Sequence, residues 1–128
     1  MLVLKLKIDV QGVQEVTGTR QTARMILFGG TAEGDYFTGV IKPGGVDTQM
    51  DNRDGTGTLS ARYSIQGTDR EGNPARIFIE NNGEYGKPTS PRVWTDNPAL
   101  RFLETAALRG HVTEENGQLT ILIETIEE

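Results

Sequence analysis

The sequence contains no cysteine, one histidine and few aromatic residues, which make up 6% of its 128 positions. The absence of cysteine excludes disulfides, thiol nucleophiles and thiolate metal sites. His111 has no neighbouring histidine and no HExxH pattern around it, so we expect no metal site. No GxSxG motif accompanies this single histidine, so a Ser–His–Asp triad has no support either. We therefore expect no metal and no cofactor.

Long apolar runs and basic clusters are also missing. No apolar stretch approaches the roughly 20 residues of a membrane-spanning helix. The first ten residues alternate between apolar and polar types, which is unlike the apolar core of a signal peptide. The net charge is −5, and the basic residues are scattered, whereas a nucleic-acid-binding protein is expected to carry a basic stripe. We therefore expect a cytoplasmic protein that contacts neither nucleic acid nor a membrane.

Glycine, in contrast, is abundant, with 16 residues. This number is typical of a protein with many tight turns between short strands. The length of the chain favours one domain over residues 1–128. Hydrophobic residues make up 35% of the chain and recur throughout it, so the composition is that of a folded protein and not of a disordered one.

Alternation of apolar and polar residues is the main structural signal. Leu59, Ala61, Tyr63 and Ile65 alternate with polar residues, which predicts a strand with one buried face. Similar patterns predict nine strands in total: 2–10, 19–28, 36–41, 46–50, 59–66, 75–81, 92–95, one ending at Thr113, and 119–126. Polar turns are predicted at 51–57, 68–74, Asn82-Gly83 and 115–117.

One short helix is predicted near residues 98–103. Asn97 is a good N-cap and Pro98 suits the first helical position. The residues that follow have good helix propensity, but Ala106, Leu108 and Val112 also alternate. We therefore expect a helix or helical turn over 98–103, followed by a strand.

Nine short antiparallel strands need a way to protect their edges, and a closed barrel provides one. The long apolar first and last strands suit pairing with each other. A β-sandwich is the alternative. In either fold, we interpret Gly29-Gly30 and Pro43-Gly44-Gly45 as turns around a short hairpin strand. No phosphate-loop motif accompanies these glycines.

An ordered series of segments resembles a known family. The series is GGTAEG (29–34), VIKPGGVDTQ (40–49), ARYSI (61–65), IFIENNG (77–83) and the segment 91–110. It is similar to the bacterial family called domain of unknown function 3237, over residues 20–110. The resemblance implies a small, lipocalin-like antiparallel β-barrel and no assigned activity.

The same resemblance points to particular residues. The family pattern is matched by Glu33, Asp47, Gln49, Arg62, Tyr63 and Asn82. The chain departs from the pattern at Trp94, where the family tends to show an acid, and at Glu104, where it tends to show an asparagine.

We take seven residues as candidate ligand-binding residues: Glu33, Asp47, Gln49, Arg62, Tyr63, Asn82 and Trp94. The candidate catalytic residues among them are Glu33, Asp47 and Tyr63, because two carboxylates and a hydroxyl can exchange protons if they share a pocket. Each also has a structural interpretation. The acids can tie loops to backbone N–H groups, Arg62 can form a surface ion pair, and Tyr63 can be core.

Three functions follow from these observations. The first is a barrel that binds a small, partly apolar molecule in its mouth or interior. The second is a cofactor-free isomerase, cyclase or lyase that acts on a small organic acid or a hydroxylated ring. The third is a structural subunit of a homodimer or larger homo-oligomer. Residues 25–28 and 119–126 carry apolar side chains on both faces of their strands, which is typical of an interface.

Overall fold

The computed structural model describes residues 1–126 and shows an all-β protein with one short helical segment. Residues 98–100 form a 3₁₀ turn, and α1 spans Phe102–Thr105. The eight strands are β1 Leu2–Thr17, β2 Gln21–Glu33, β3 Phe37–Asn52, β4 Gly57–Asp69, β5 Pro74–Glu84, β6 Ser90–Thr95, β7 Leu108–Glu115 and β8 Gln118–Thr125. Within this described range, no helix is long and apolar enough to cross a membrane.

All eight strands belong to one antiparallel sheet in the order β6-β5-β4-β3-β2-β1-β8-β7. The sheet is strongly curled, and its two edges meet where Thr89 and Gly110 form an isolated bridge. Two backbone hydrogen bonds of 2.8 and 3.0 Å join these residues. The predicted all-β, barrel-like fold is confirmed, and so is the pairing of the first and last strands, β1 with β8.

The prediction of nine strands is wrong because two predicted strands are parts of one. Residues 36–41 and 46–50 both lie in β3, which continues through Pro43-Gly44-Gly45. The register between β3 and β4 shifts between Ile41 and Val46. The glycines therefore form a bulge, which interrupts the period-two pattern without ending the strand.

The other glycine-based turns are corrected in the same way. Gly29-Gly30 lies inside β2, where the pairing with β3 shifts between Phe28 and Gly30. The Asn82-Gly83 pair lies inside β5, and the chain turns later, at Gly86, which has a φ of 76°. The first strand also continues through Gly12 to Thr17 with a register shift.

Other local predictions are confirmed. The β7–β8 hairpin turns at Asn116 and Gly117, whose φ angles are 52° and 80°, as a type I′ turn requires. Asn97 caps the helical segment, because its side chain accepts a hydrogen bond of 2.8 Å from the backbone N–H of Ala99.

The hydrophobic core fills one end of the curled sheet. Leu100 and Leu103 of the helical segment are buried there with the inward residues of the strands, among them Leu4, Leu6, Ile65, Ile77, Ile79 and Ile123. The other end is less filled. Beyond Ile8, the side chains of β1 become exposed, beginning with Val10. The fold therefore has a packed end and an open end, and a cavity lies at the open end.

Candidate functional site

A cavity of about 150 Å³ lies on the inner face of the sheet at its open end. Most of its wall is aliphatic or aromatic, and its three polar side chains are Asp47, Gln49 and Asn81. The remaining lining residues are Ile8, Val10, Ile26, Phe28, Leu59, Ala61, Val112, Leu119 and Ile121. An apolar cavity with a few placed polar groups is the usual form of a small-molecule site.

Three paired residues form a row across this wall. Asp47 on β3 pairs with Ala61 on β4, and Ala61 pairs with Asn81 on β5. Directly paired residues project from the same face of a sheet. Neighbouring strands lie about 4.8 Å apart, so Asp47 and Asn81, which are two strands apart, are separated by roughly 10 Å. The methyl group of Ala61 lies between them. We call this row the Asp47–Asn81 notch.

Asp47 is held in an unusual environment for a carboxyl group. Its Oδ2 accepts a hydrogen bond of 2.8 Å from Gln49 Nε2. Its Oδ1 is shielded from solvent and has no hydrogen-bond partner in the described part of the chain. Burial raises the pKa of Asp47 above its ordinary value, although the hydrogen bond from Gln49 and the nearby backbone N–H of Ser60 act in the opposite direction. Raised carboxyl pKa values in clefts are typical of functional sites.

Two further polar atoms of this wall are buried without a partner among residues 1–126: the Tyr63 hydroxyl, which is close to Asp47, and Asn81 Oδ1 at the other end of the notch. Both side chains are almost fully buried, with exposures of 2% and 1%. Tyr63 packs edge-on against Phe28, with ring centroids 5.2 Å apart. Burial raises the pKa of Tyr63, and the nearby Asp47 carboxylate raises it further. Unpaired buried polar groups are rare in folded proteins. Three of the four such atoms in residues 1–126 belong to Asp47, Tyr63 and Asn81, and the fourth is Thr89 Oγ1, so this wall is marked as a candidate site.

A polar network borders the cavity. Arg24 donates to Glu15 at 2.9 Å and contacts Asp51 at 2.6 Å. Gln49 Oε1 accepts from Arg24 at 3.2 Å, and the Tyr85 hydroxyl shares its single proton between Asp51 and Gln49 Oε1, which is 3.1 Å away. The network fixes the Gln49 amide, and Gln49 in turn orients the Asp47 carboxylate.

The pKa values in this network follow from the same contacts. The Tyr85 hydroxyl and the Arg24 guanidinium lower the pKa of Asp51. Burial and the hydrogen bond to Asp51 raise the pKa of Tyr85 to about 12. Asp51 is therefore a paired carboxylate, in contrast to Asp47.

An outer concavity of about 430 Å³ adjoins the cavity where the β5–β6 loop faces β7. It is bordered by Tyr85, Pro88 and His111, and it shares Gln49, Leu59 and Val112 with the inner cavity. The two spaces therefore adjoin along these three residues.

The structure brings only three of the predicted site residues together. Asp47 and Gln49 line the cavity, and Tyr63 lies beside them. Glu33 lies elsewhere, on the outer face, where it forms an ion pair of 3.7 Å with Lys7. It is seven residues along β2 from Ile26, the partner of Asp47, which is roughly 23 Å at 3.3 Å per residue. Glu33 and Asp47 therefore do not flank one entrance.

The other predicted residues also face outward. Arg62 donates to Glu80 at 3.1 Å on the outer surface, and Asn82 is exposed. Trp94 is 43% exposed and packs against Phe78, with ring centroids 5.6 Å apart. Arg62 thus forms the surface ion pair that its sequence position also allowed, and it lies outside the cavity.

The remaining polar candidates have structural partners. Glu104 accepts a hydrogen bond from the Thr95 backbone at 2.9 Å. His111 contacts Glu124 at 3.0 Å, and Arg109 donates to the same carboxylate. Among residues 1–126, no group of three acidic or histidine side chains is placed to hold a metal ion.

Sequence reasoning missed Asn81, Ala61, Arg24 and Tyr85. One signal was present for Asn81. In β5, the buried face reads Ala75, Ile77, Ile79 and then Asn81, so an amide ends an otherwise apolar series. Arg24 and Tyr85 carried no such signal, because their contacts join segments that are distant in sequence.

The unusual state of Asp47 leads to a stability prediction. The pKa of Asp47 is raised in the folded state, so the ionised side chain destabilises the folded protein. The free energy of unfolding therefore falls as pH rises from the ordinary pKa of Asp47 through its folded-state pKa. An asparagine side chain at this position can still accept the hydrogen bond from Gln49 without carrying a charge. We expect Asp47→Asn to raise the free energy of unfolding by about 1 kcal/mol at pH 7.

Urea unfolding at several pH values measures this effect. The gain from Asp47→Asn shrinks as pH falls and disappears below the ordinary pKa of 3.8. Asp51→Asn is the matched control with the opposite sign, because the pKa of Asp51 is lowered and its ionised form favours folding. A loss of stability at pH 7 in both variants would contradict our description of Asp47.

Comparison with known proteins agrees with this fold. A family model described as "Protein of unknown function (DUF3237)" matches residues 1–118. A UPF0311 protein from Clostridium acetobutylicum is 42% identical over 72 residues. That match covers 56% of this chain and 42% of the relative, so it spans less than half of the relative's length.

Solved structures show the same architecture. A protein of unknown function from C. acetobutylicum has a TM-score of 0.84 at 23% identity, covering 99% of this chain and 95% of that one. A β-barrel-like protein from Acinetobacter baumannii has a TM-score of 0.82 at 20% identity, covering 98% and 94%. An enzyme from Penicillium herquei has a TM-score of 0.77 at 18% identity, covering 97% and 92%. At these identities, the likeness shows the fold alone.

Proposed function

Because this chain belongs to the DUF3237 family, whose description leaves the function open, we propose a function from the site itself: the cavity binds a small, partly apolar molecule. One observation carries this proposal. An apolar cavity adjoins an outer concavity and contains a half-buried carboxyl group with one unpaired oxygen. A packed structural core would be expected to fill such a space and pair such an atom.

The size of the cavity limits the ligand. Its volume of about 150 Å³ is on the scale of cavities that accept a benzene-sized molecule. The outer concavity gives room for substituents that extend toward solvent. A ligand with one ring and a short substituent therefore suits the space.

Protein-observed NMR with toluene tests the proposal. We expect saturable shift changes in the methyl signals of Ile26, Ala61 and Val112 and in the amide signals of these residues and of Phe28, which all line the cavity. Glucose, which also has one ring but is polar throughout, is the control and should leave these signals in place. The absence of any saturable change with toluene would contradict the proposal.

Acid–base catalysis is the second candidate. It is favoured by the raised pKa of Asp47 beside the unpaired Tyr63 hydroxyl, and a structural neighbour from P. herquei is described as an enzyme. In this function, the Asp47 carboxylate accepts a proton from carbon next to a ligand carbonyl and later returns a proton to that carbon. This function gives the Tyr63 hydroxyl, which is buried near Asp47, the role of hydrogen-bond donor to the developing oxyanion.

Cyclohexanone in D₂O provides a test of this chemistry. We expect the protein to exchange the hydrogens next to the carbonyl for deuterium faster than buffer does, as followed by ¹H NMR. Asp47→Asn should remove the acceleration because an amide cannot take the proton. Exchange at the buffer rate with the wild-type protein would contradict this second function for cyclic ketones.

A further inference from the structure

We propose that the cavity selects a molecule with one ring and a hydroxyl group, and that it holds the hydroxyl in the Asp47–Asn81 notch. The ring then lies toward the open end, against Val10 and Val112. This inference rests on the proposed binding function and extends it by assigning the ligand class and its orientation.

The notch provides the space for one polar ligand group. Ala61 lies between Asp47 and Asn81 in the paired row, and its side chain is a single methyl group. Any larger side chain at this position would occupy the gap between the two polar ends. The neighbouring inward residue of β4, Tyr63, is fully packed below the notch, so a ligand group entering the notch meets polar atoms on both sides.

The unpaired atoms of the notch decide which ligand group fits. Asp47 Oδ1 accepts hydrogen bonds and has no partner in the described residues. The Asn81 amide carries both a donor and an acceptor. A ligand hydroxyl can donate its one proton to Asp47 and accept from the Asn81 amide, whereas a carboxylate has no proton to give to Asp47. The sequence alone left a small organic acid and a hydroxylated ring as alternatives, and the notch favours the ring.

The charges around the notch also disfavour an anionic ligand. The basic group of the bordering network, Arg24, is already paired with Glu15 and Asp51. Arg62, on the neighbouring strand, is on the outer face with Glu80. An anion in the notch would thus face Asp47 without a free cation from these strands.

A neutral donor suits the notch better than a cationic one. The walls above it are apolar, with Ile26 and Phe28 on one side and Ile121 and Leu119 on another. Removing an ammonium group from water costs far more than removing a hydroxyl group. An aromatic or alicyclic ring, in contrast, gains from burial against these side chains.

Four probes of one-ring size test the inference by NMR titration or calorimetry: phenol, toluene, benzoate and benzylamine. We expect phenol to bind about tenfold more tightly than toluene, because it adds a hydrogen bond to a carboxylate. Benzoate should bind more weakly than toluene, and benzylamine more weakly than phenol.

Asp47→Asn is the variant that isolates the notch. Toluene affinity should stay within about twofold, whereas the tenfold advantage of phenol should fall, because the acceptor loses its charge. Glu33→Gln removes an acid on the outer face, where Glu33 is paired with Lys7, and is the control that should keep the advantage of phenol.

The outcomes separate this inference from the proposed function. If toluene and phenol bind equally, or if benzoate or benzylamine binds most tightly, the cavity binds small molecules but our ligand class is wrong. If none of the four probes binds, the binding function and the inference both fail. A phenol advantage that survives Asp47→Asn unchanged would also overturn the placement of the hydroxyl.

Discussion

Gly30→Ala is expected to lower the free energy of unfolding by about 3 kcal/mol, the largest single-residue effect that we predict. Gly30 has a φ of 134°, a conformation that L-residues with a side chain rarely adopt. A β-carbon at this position would also overlap the carbonyl oxygen of Lys7 on β1. The expected loss combines backbone strain with displacement of a paired strand.

Gly29→Ala is the matched control, one residue away in the same strand. Its φ is outside the positive range, and an added β-carbon would meet the far end of the flexible Gln11 side chain. We expect a cost below about 1 kcal/mol. Urea unfolding of both variants measures the difference. Equal losses would show that the bulge at Gly30 does not need glycine.

Ala61→Leu is expected to weaken the binding of toluene and phenol at least tenfold. The larger side chain points into the cavity from the middle of the Asp47–Asn81 notch, so it occupies the space in which a ring would lie. Because open space is available at this position, the fold should tolerate the change, with a cost below the roughly 1–3 kcal/mol typical of overpacked cores.

Ser64→Leu is the control for added volume on the same strand. Ser64 is exposed and lies on the outward face of β4, so the same substitution there should leave probe affinity unchanged. Unfolding curves for both variants show whether the chain still folds. Full probe affinity in a folded Ala61→Leu protein would place the binding site elsewhere.

Much of the fold could be predicted from local patterns. The strict alternation over 59–66 became the buried and exposed faces of β4, and Asn116-Gly117 became the β7–β8 turn. These features depend on residues close together in sequence. The helical segment was predictable for the same reason, because its N-cap and its first proline are neighbours in the sequence.

Glycines inside long strands could not be distinguished from glycines in turns. Gly30 and Gly44 both have positive φ angles, as a turn would require, but they lie at bulges where paired strands change register. Only the pairing of β2 with β1 and β3 shows this, and that pairing joins residues that are distant in sequence. The number of strands was overestimated for this reason.

The site was only partly predictable for a related reason. Asp47, Gln49 and Tyr63 were identified, but Glu33, Arg62 and Asn82 were grouped with them although they face outward or lie at the other end. Two features decide which side chains share a cavity: the register of the paired strands, and the bulges, after which the side chains of a strand point to the opposite face. Neither feature can be read from a single sequence.

The measurement that tests the central claim most directly is the detection of intermolecular NOEs from the ring protons of bound phenol. We predict NOEs to the methyl groups of Ala61, Ile26 and Val112, which line the cavity. NOEs confined to outward residues such as Val16 and Met25, or saturable binding of phenol with no NOE to Ala61, would contradict the claim that this cavity is the binding site.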